Sequence, residues 1–331
     1  MSIETFSLPT LAELRSVATA LSPHIQRTPV HHWQGPQIGA AAGSETQVWL
    51  KLELFQYSGT FKARGVVSNL LAMTESQRCA GVTAMSAGNH AIAVAWGAAK
   101  FGLSAKVVMQ ASANPARVAA ARAFGAEVLI AADGPTGFAL AEKLAADEGR
   151  TFIHPFDGAR TALGTGSLGL EFAEQIPGLD VVIVAIGGGG LAGGAARALK
   201  LLQPDCEIIG VEPEGADSMH RSFAAGSAQR LERVQTIADS LAPPMALPYG
   251  YAMCRASVDR LVKVTDPEIR SAMSLLFREM KLAVEPAGAA AMAALIHHLQ
   301  RDLRGRRVGV IVCGSNIDAE SFAAHLRAAE A

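Results

Sequence analysis

The sequence predicts an α/β protein of two open, twisted parallel-sheet lobes with helices on both faces. Its composition is the first sign: half of the 331 residues are apolar but only 5% are aromatic, and 32 are glycine. Small side chains in that abundance suit helices packed closely on a sheet. The second sign is a series of short apolar runs, Gly81 to Met85, Ala105 to Met109, Glu127 to Ala131 and Thr151 to Ile153, separated by Ala-rich helical segments near 89–101, 115–124 and 136–148. Strands alternating with helices of that length mean βαβ units. The third is a second such series, Val181 to Ile186, Glu207 to Val211, Arg260 to Val264 and Val308 to Cys313. Two series imply two lobes, and the chain is long enough for both. No compositional break marks a linker, so one lobe is expected within, or interwoven with, the other.

In chain order, Thr10 to Leu21 places Leu11, Leu14, Val17 and Leu21 at helical spacing between Pro9 and Pro23, which predicts an opening surface helix. Val48 to Leu54 partly alternates and predicts a strand, and from Gly65 to Met73 the pattern turns helical. Lys62 therefore falls near a strand-to-helix junction, where open α/β sheets place their ligands. No solenoid repeat or low-complexity tract interrupts the pattern.

Charge and cysteine content narrow the function. With 29 basic against 30 acidic residues and no run of like charge, nothing marks a nucleic-acid or anionic-membrane surface. Cys79, Cys206, Cys254 and Cys313 form no CxxC pair, which argues against a zinc ribbon or a disulfide framework and for a reducing compartment. Met1 to Pro23 carries acidic residues and no continuous apolar core, so no signal peptide is expected. The longest apolar runs, near Val181 to Ala196 and Ala287 to Ile296, are glycine-rich or too short to span a bilayer. A soluble, cytoplasmic protein is the expectation.

Four loops at predicted strand ends carry unusual chemistry. In Tyr57-Ser58-Gly59-Thr60-Phe61-Lys62-Ala63-Arg64-Gly65 one lysine lies among small and aromatic residues; desolvation there lowers a lysine's pKa and frees its amine to attack carbonyls. In Ser86-Ala87-Gly88-Asn89-His90, Ser86 is a candidate N-cap, and the first-turn N–H groups of the following helix suit a carboxylate. Gly187-Gly188-Gly189-Gly190-Leu191-Ala192, directly after an apolar strand, is a nest for phosphate. The same stretch also satisfies a dinucleotide fingerprint, with Glu212 at the spacing of a ribose-binding acid. The fourth, Cys313-Gly314-Ser315-Asn316, sets a thiol at a strand end, either as a small buried hydrophobe or facing a ring nitrogen. The histidines show no metal spacing, and Asp133, Asp157 and Asp180 sit in turn contexts that suggest capping or solvation.

Taken in order, Ser58 to Gly65, Ser86 to His90, Gly187 to Leu191, Val284-Glu285-Pro286-Ala287-Gly288 and Cys313 to Asn316 resemble the pyridoxal-phosphate-dependent serine/threonine dehydratase family, which is related to serine racemase. The resemblance runs from about Leu11 to Asn316. It implies fold type II, with a large lobe from residues 1–66 and 157–331 and a small mobile lobe from 67–156, and a homodimer. It implies that Lys62 carries the cofactor as a Schiff base with Phe61 against the ring. Asn89 would meet the ring hydroxyl, Gly187, Gly188, Gly189, Gly190 and Leu191 the phosphate, and Cys313 the ring nitrogen, with Glu285 among the cofactor contacts. The substrate carboxylate is expected at Ser86, Ala87, Gly88, Asn89 and His90. The reaction implied is dehydration of a β-hydroxy amino acid, such as threonine, serine, a hydroxyaspartate or a phenylserine, to a 2-oxo acid and ammonia, with Lys62 taking the α-proton.

Departures from the family set the expectations for this member. Ala87 stands where related racemases carry a second serine as acid/base, which favours dehydratase over racemase. Ile92 replaces a usual glutamine, and Gly164-Thr165-Gly166-Ser167 departs from the usual Gly-Gln-Gly-Thr. The family's cation site maps to Glu212, Ala216 and Ser218; with serine in place of a carboxylate, a divalent ion is not expected there. An amino-acid racemase of the same fold, a nicotinamide-dependent oxidoreductase using the Gly187 loop and a non-catalytic relative remain as alternatives.

Overall fold

The computed structural model describes residues 6–330. Residues 1–5, part of both the expected large lobe and the stretch read as lacking a signal peptide, lie outside the described residues, as does residue 331. The elements follow in order: α1 (Leu11–Leu21), β1 (Val30–Trp33), α2 (Pro36–Ala42), β2 (Gln47–Leu52), α3 (Lys62–Leu71), α4 (Glu75–Ala80), β3 (Val82–Met85), α5 (Asn89–Phe101), β4 (Ala105–Gln110), α6 (Pro115–Ala123), β5 (Glu127–Ala131), α7 (Gly134–Glu148) and β6 (Thr151–Phe152). Then come α8 (Ala159–Gln175), β7 (Val181–Ala185), α9 (Gly190–Leu202), β8 (Glu207–Pro213), α10 (Ser218–Ala225), α11 (Pro248–Ser257), β9 (Arg260–Val264), α12 (Asp266–Met280), α13 (Pro286–Ala294), β10 (Arg307–Val312) and α14 (Ala319–Glu330).

Two sheets result. One is six-stranded in the order β1-β2-β10-β7-β8-β9, the other four-stranded in the order β5-β4-β3-β6. All strands of the smaller sheet lie between Val82 and Phe152, while the larger sheet is drawn from the chain on both sides of that segment. Every pairing is parallel except β1 on β2. The antiparallel edge β1 was not foreseen: Val30-His31-His32-Trp33 is short and has no apolar run, and its pairing comes from β2 beside it.

Parallel pairing is what assembles the loops. β2, β10 and β7 are neighbours pointing the same way, so the Lys62 loop, Cys313 and the glycine loop leave the sheet side by side. The buried central strands explain why this region reads as continuous apolar runs: all five residues of β7 are buried. On the two faces, α13 packs with α12 in one core cluster and α9 with α8 in another. The close approach of α8 to its neighbours accounts for its unusual glycines. A Cβ on Gly164 would lie 2.5 Å from the Arg64 carbonyl oxygen, and one on Gly169 would lie 2.3 Å from that of Ala195.

Capping follows the sequence where the chemistry is local. Thr10 with Glu13 and Thr265 with Glu268 form capping boxes. Asp133 accepts the Thr136 N–H and caps α7. Asp157 and Asp180 instead accept from the N–H groups of Gly250 (3.0 Å) and Arg307 (2.7 Å), joining segments far apart in the chain.

Candidate active site

Lys62 is the first residue of α3, three residues earlier than the expected start at Gly65. The start is set by tertiary contact: the Phe61 N–H donates to the Cys313 carbonyl at 3.2 Å, and Thr60 bridges to Gly314. Ahead of them Ser58 adopts a left-handed backbone at φ 62°, which folds the loop tightly. The Lys62 ammonium donates to the Pro155 carbonyl and lies 5.1 Å from the Phe61 ring centroid. Desolvation pulls its pKa down to about 8, against the opposing pull of the Glu285 carboxylate.

Beneath α3 lies a buried charge cluster. Arg64 donates to Glu53 through Nε and Nη2 (both 2.8 Å), to Glu171 (2.8 Å) and to Ser167 (3.0 Å). Glu171 also accepts from the buried Lys51 at 2.9 Å. Glu53 follows β2 and Glu171 lies on α8, so Arg64 ties the lysine-bearing helix to both.

The glycine loop runs from the end of β7 into α9. Gly189 has φ 92°, and a Cβ on Gly188 would stand 2.1 Å from the Phe156 ring. One on Gly190 would stand 2.4 Å from the Phe156 carbonyl. Side chains are thus excluded on one side, while the first-turn N–H groups of Gly190, Leu191 and Ala192 precede any intrahelical acceptor. Thr165 fixes the loop from α8, its hydroxyl donating to the Gly190 carbonyl at 2.7 Å. This cradle fits a phosphate. A small cavity between Phe61, Lys62, His90, Pro155, Thr165 and Gly190 joins it to the lysine. The larger cavity, about 310 Å³ between α1 and α8, lies apart from these loops.

The Ser86 to His90 loop differs from its expected geometry. Ser86 does not cap α5; the N-cap is Gly88, and the Ser86 hydroxyl accepts the Gly88 N–H at 3.1 Å. Ala87 and Gly88 intervene because the chain turns once more before the helix begins at Asn89. Asn89 donates to Glu285 (2.5 Å) and to Ser240 (3.2 Å), and accepts from Asn316 (2.7 Å). The His90 ring bonds through Nε2 to the Ile153 carbonyl at 2.8 Å, while its backbone N–H lies in the first turn of α5, ahead of any intrahelical acceptor.

Two neutral imidazoles result. Burial, aided by the Lys62 charge, pushes the His90 pKa down to about 3 and that of His154 to about 4. Both must charge on unfolding in acid, so the stability they contribute is complete above about pH 6.5 and is lost as pH falls toward those values. Glu285 acts oppositely between about pH 7 and 4.5, because its folded form takes up a proton first. The Tm of the protein is expected to fall between pH 6.5 and 4, and His90→Asn to flatten that fall. A Tm independent of pH over this range would contradict the assignment.

Cys313 and Glu285 complete the floor. The Cys313 thiol, buried and 3.4 Å from the Ala287 carbonyl, is pushed well above its usual pKa by burial and stays neutral. Burial also raises Glu285 to about 7, although Arg117 holds it down. Arg117 and Ser240 were not picked out in the sequence, and Asn316 only as the end of the Cys313 loop with no role assigned. The placement of Arg117 and Ser240 is tertiary, and no local pattern announces it.

Glu212 does not serve as a ribose-binding acid. It is fully buried and accepts from the N–H groups of Met219 and His220 (2.8 Å each) and from His220 Nδ1 (2.7 Å). Those contacts brace α10 behind the glycine loop, where Gly189 packs on Met219 and Cys254. Ala216 ends a short turn and Ser218 opens α10. At this position the one carboxylate is already engaged, and the Ser218 hydroxyl, buried and without a hydrogen-bond partner, brings no charge. Among the described residues no group of three or more His, Cys, Asp or Glu is placed to hold a metal.

Residues 21–314 match the family model described as pyridoxal-phosphate dependent enzyme. The chain is 52% identical over 324 residues to a phenylserine dehydratase of Ralstonia pickettii, covering 98% of each. It is 36% identical over 314 residues to an L-threo-3-hydroxyaspartate ammonia-lyase of a Pseudomonas species, covering 94% of this chain and 96% of the other. Among solved structures, maize serine racemase superposes with a TM-score of 0.89 at 31% identity, over 98% of this chain and all of the other.

Proposed function

The chain belongs to the pyridoxal-phosphate dependent enzymes, and from that premise we propose that it is an ammonia-lyase dehydrating a β-hydroxy amino acid, with an aryl-bearing serine such as phenylserine preferred. The product is the 2-oxo acid with ammonia. The observation that carries the proposal is the setting of Lys62, an amine of depressed pKa where the glycine cradle, the Ser86 loop and Cys313 meet. The aryl preference rests on the 52% identity to the phenylserine dehydratase, and the apolar Ile92 on α5 agrees with it.

Pyridoxal phosphate, when bound, draws electrons from the amino acid's α-carbon and so acidifies its α-proton. Lys62 would hold the group covalently, Gly187 to Leu191 its phosphate, and Phe61, Asn89, Glu285 and Cys313 its ring. With a pKa near 8, the Lys62 Nζ has a substantial neutral fraction near neutrality and takes the α-proton as a general base. Backbone N–H groups at the start of α5 bind and orient the substrate carboxylate. The neutral Cys313 thiol would meet the ring nitrogen without adding charge there, and so would temper the ring's pull on electrons.

Ala87 offers no hydroxyl to return a proton on the opposite face of the α-carbon, so elimination rather than racemisation is proposed despite the likeness to serine racemase. We place the mobile unit at residues 67–156 and the remainder in the large lobe. Four free cysteines agree with a reducing cytoplasm, and no helix among the described residues is long and apolar enough to cross a membrane. A homodimer, as the resemblance implies, predicts twice the chain mass by light scattering; a monomer mass would end that part.

The test is an assay for 2-oxo acid and ammonia across L- and D-β-hydroxy amino acids with small, acidic and aromatic side chains. Equimolar phenylpyruvate and ammonia from phenylserine is expected, with serine and threonine slower. Racemisation without oxo acid would sink the proposal. Because Glu212 is already engaged by His220, exhaustive chelation is expected to leave both turnover and Tm unchanged. Activity lost with chelator and restored by magnesium or calcium would overturn that expectation.

A further inference from the structure

Arg117 sits where a helix does not favour a cation. It lies in the first turn of α6, at the positive end of the helix dipole, yet its side chain is only 8% exposed. What holds it there is a set of acceptors outside the segment that carries the small sheet. Nε donates to the Asn316 carbonyl at 2.9 Å, Nη2 to the buried Glu285 at 3.0 Å, and Nη1 to Asp239. The start of α6 is docked a second time through Asn114, whose side-chain amide donates to Asp318 at 2.6 Å.

These contacts close into a ring. Glu285 gives one carboxylate oxygen to Arg117 and the other to Asn89. Asn89 accepts from the Asn316 side chain, and the Asn316 carbonyl returns to Arg117. Two members, Arg117 and Asn89, come from the segment of the small sheet, and two, Glu285 and Asn316, from the large-lobe segments. The guanidinium also lies over the Ser86 loop: a Cβ on Gly88 would approach Nη1 to 2.8 Å.

We infer that Arg117 is a positioning residue that latches the small lobe over the reaction site and, through Glu285, sets the side chain of Asn89. The inference rests on the proposed lyase function for its kinetic consequences but not for its structural ones. Separating the lobes would break all four sides of the ring, leaving the buried Glu285 without its cation and Asn89 without its acceptor. That cost favours the closed arrangement in which the α5 N-terminus and Lys62 face one substrate. Asp239 is 55% exposed, so its pair with Arg117 contributes less. Lysine can neutralise Glu285 but cannot also reach the Asn316 carbonyl with a planar fork.

The experiment compares holoenzyme carrying Arg117→Gln, Arg117→Lys and Asp239→Asn with wild type. In Arg117→Gln, KM for the β-hydroxy amino acid is expected to rise about tenfold or more, with a smaller change in kcat. The acid limb of kcat/KM should move to higher pH, because Glu285 loses the charge that keeps it ionised. Amide exchange in residues 115–131 should quicken without substrate. Arg117→Lys should recover part of the KM change and Asp239→Asn should alter it little. Unchanged KM, pH profile and exchange in Arg117→Gln would overturn the latch, and so would equal losses in Arg117→Lys and Arg117→Gln. Should wild type turn over no β-hydroxy amino acid, the function fails while the exchange arm still decides the latch.

Discussion

Lys62→Ala is expected to abolish turnover, with kcat falling by at least about 10³-fold, within the range by which a positioned general base contributes. On the proposed mechanism the variant loses both the amine that takes the α-proton and the covalent hold on the cofactor, so its visible absorbance should wash out on dialysis. The fold should survive. Lys62 makes one hydrogen bond, to the Pro155 carbonyl, and its burial is a cost to stability, not a contribution. Far-UV circular dichroism and Tm close to wild type, together with lost turnover, are the expected pair of results. Turnover within about tenfold of wild type would remove Lys62 from the mechanism.

The largest stability effect is expected at Arg64. Burial works against its charge, but Glu53 and Glu171 more than offset that, and its pKa is raised. Arg64→Met would leave Glu53, which is fully buried, facing only the Thr28 hydroxyl among its side-chain partners. It would also strip Glu171 of all but Lys51. Removing one partner of a buried charge network costs about 3–5 kcal/mol, and urea unfolding should read that loss. Replacing Glu53 by Gln in the same chain should restore part of it, since the uncompensated charge goes with it. A loss under about 1 kcal/mol in Arg64→Met would mean that water reaches the cluster. Because Arg64 lies two residues beyond Lys62, the stable form of the variant should also bind cofactor more weakly.

How much was legible in the sequence depends on whether the cause was local. β3, β4, β7, β8 and β10 stand out because strands buried on both faces are continuous apolar runs; β5 and β9, only partly buried at the sheet edges, stand out through their place in the strand–helix alternation. β1 was invisible, because its four residues take their extended form from β2 and from no pattern of their own. The start of α3 was placed too late for a similar reason: the bond from Phe61 to the Cys313 carbonyl spans most of the chain. Lys62, the glycine loop, the Ser86 loop and Cys313 could be found because each follows a strand, and parallel strands deliver their ends to one edge. Arg117 could not, since an arginine on a short Ala-rich helix looks like any solvated charge until Glu285 and Asn316 are brought against it. Glu212 shows the converse. Its spacing satisfied a ribose-binding pattern, and only its bonds to Met219 and His220 reveal that it is spent on α10.

Everything in the account turns on one amine, so the most direct measurement is to fix the cofactor where it sits. Borohydride reduction of the yellow holoenzyme, followed by digestion and peptide mass mapping, is expected to find a single pyridoxyl group on Lys62 in the peptide spanning Thr60 to Gly65. A pyridoxyl group on Lys51 or any other lysine, or no reducible adduct after reconstitution with the cofactor, would contradict the assignment.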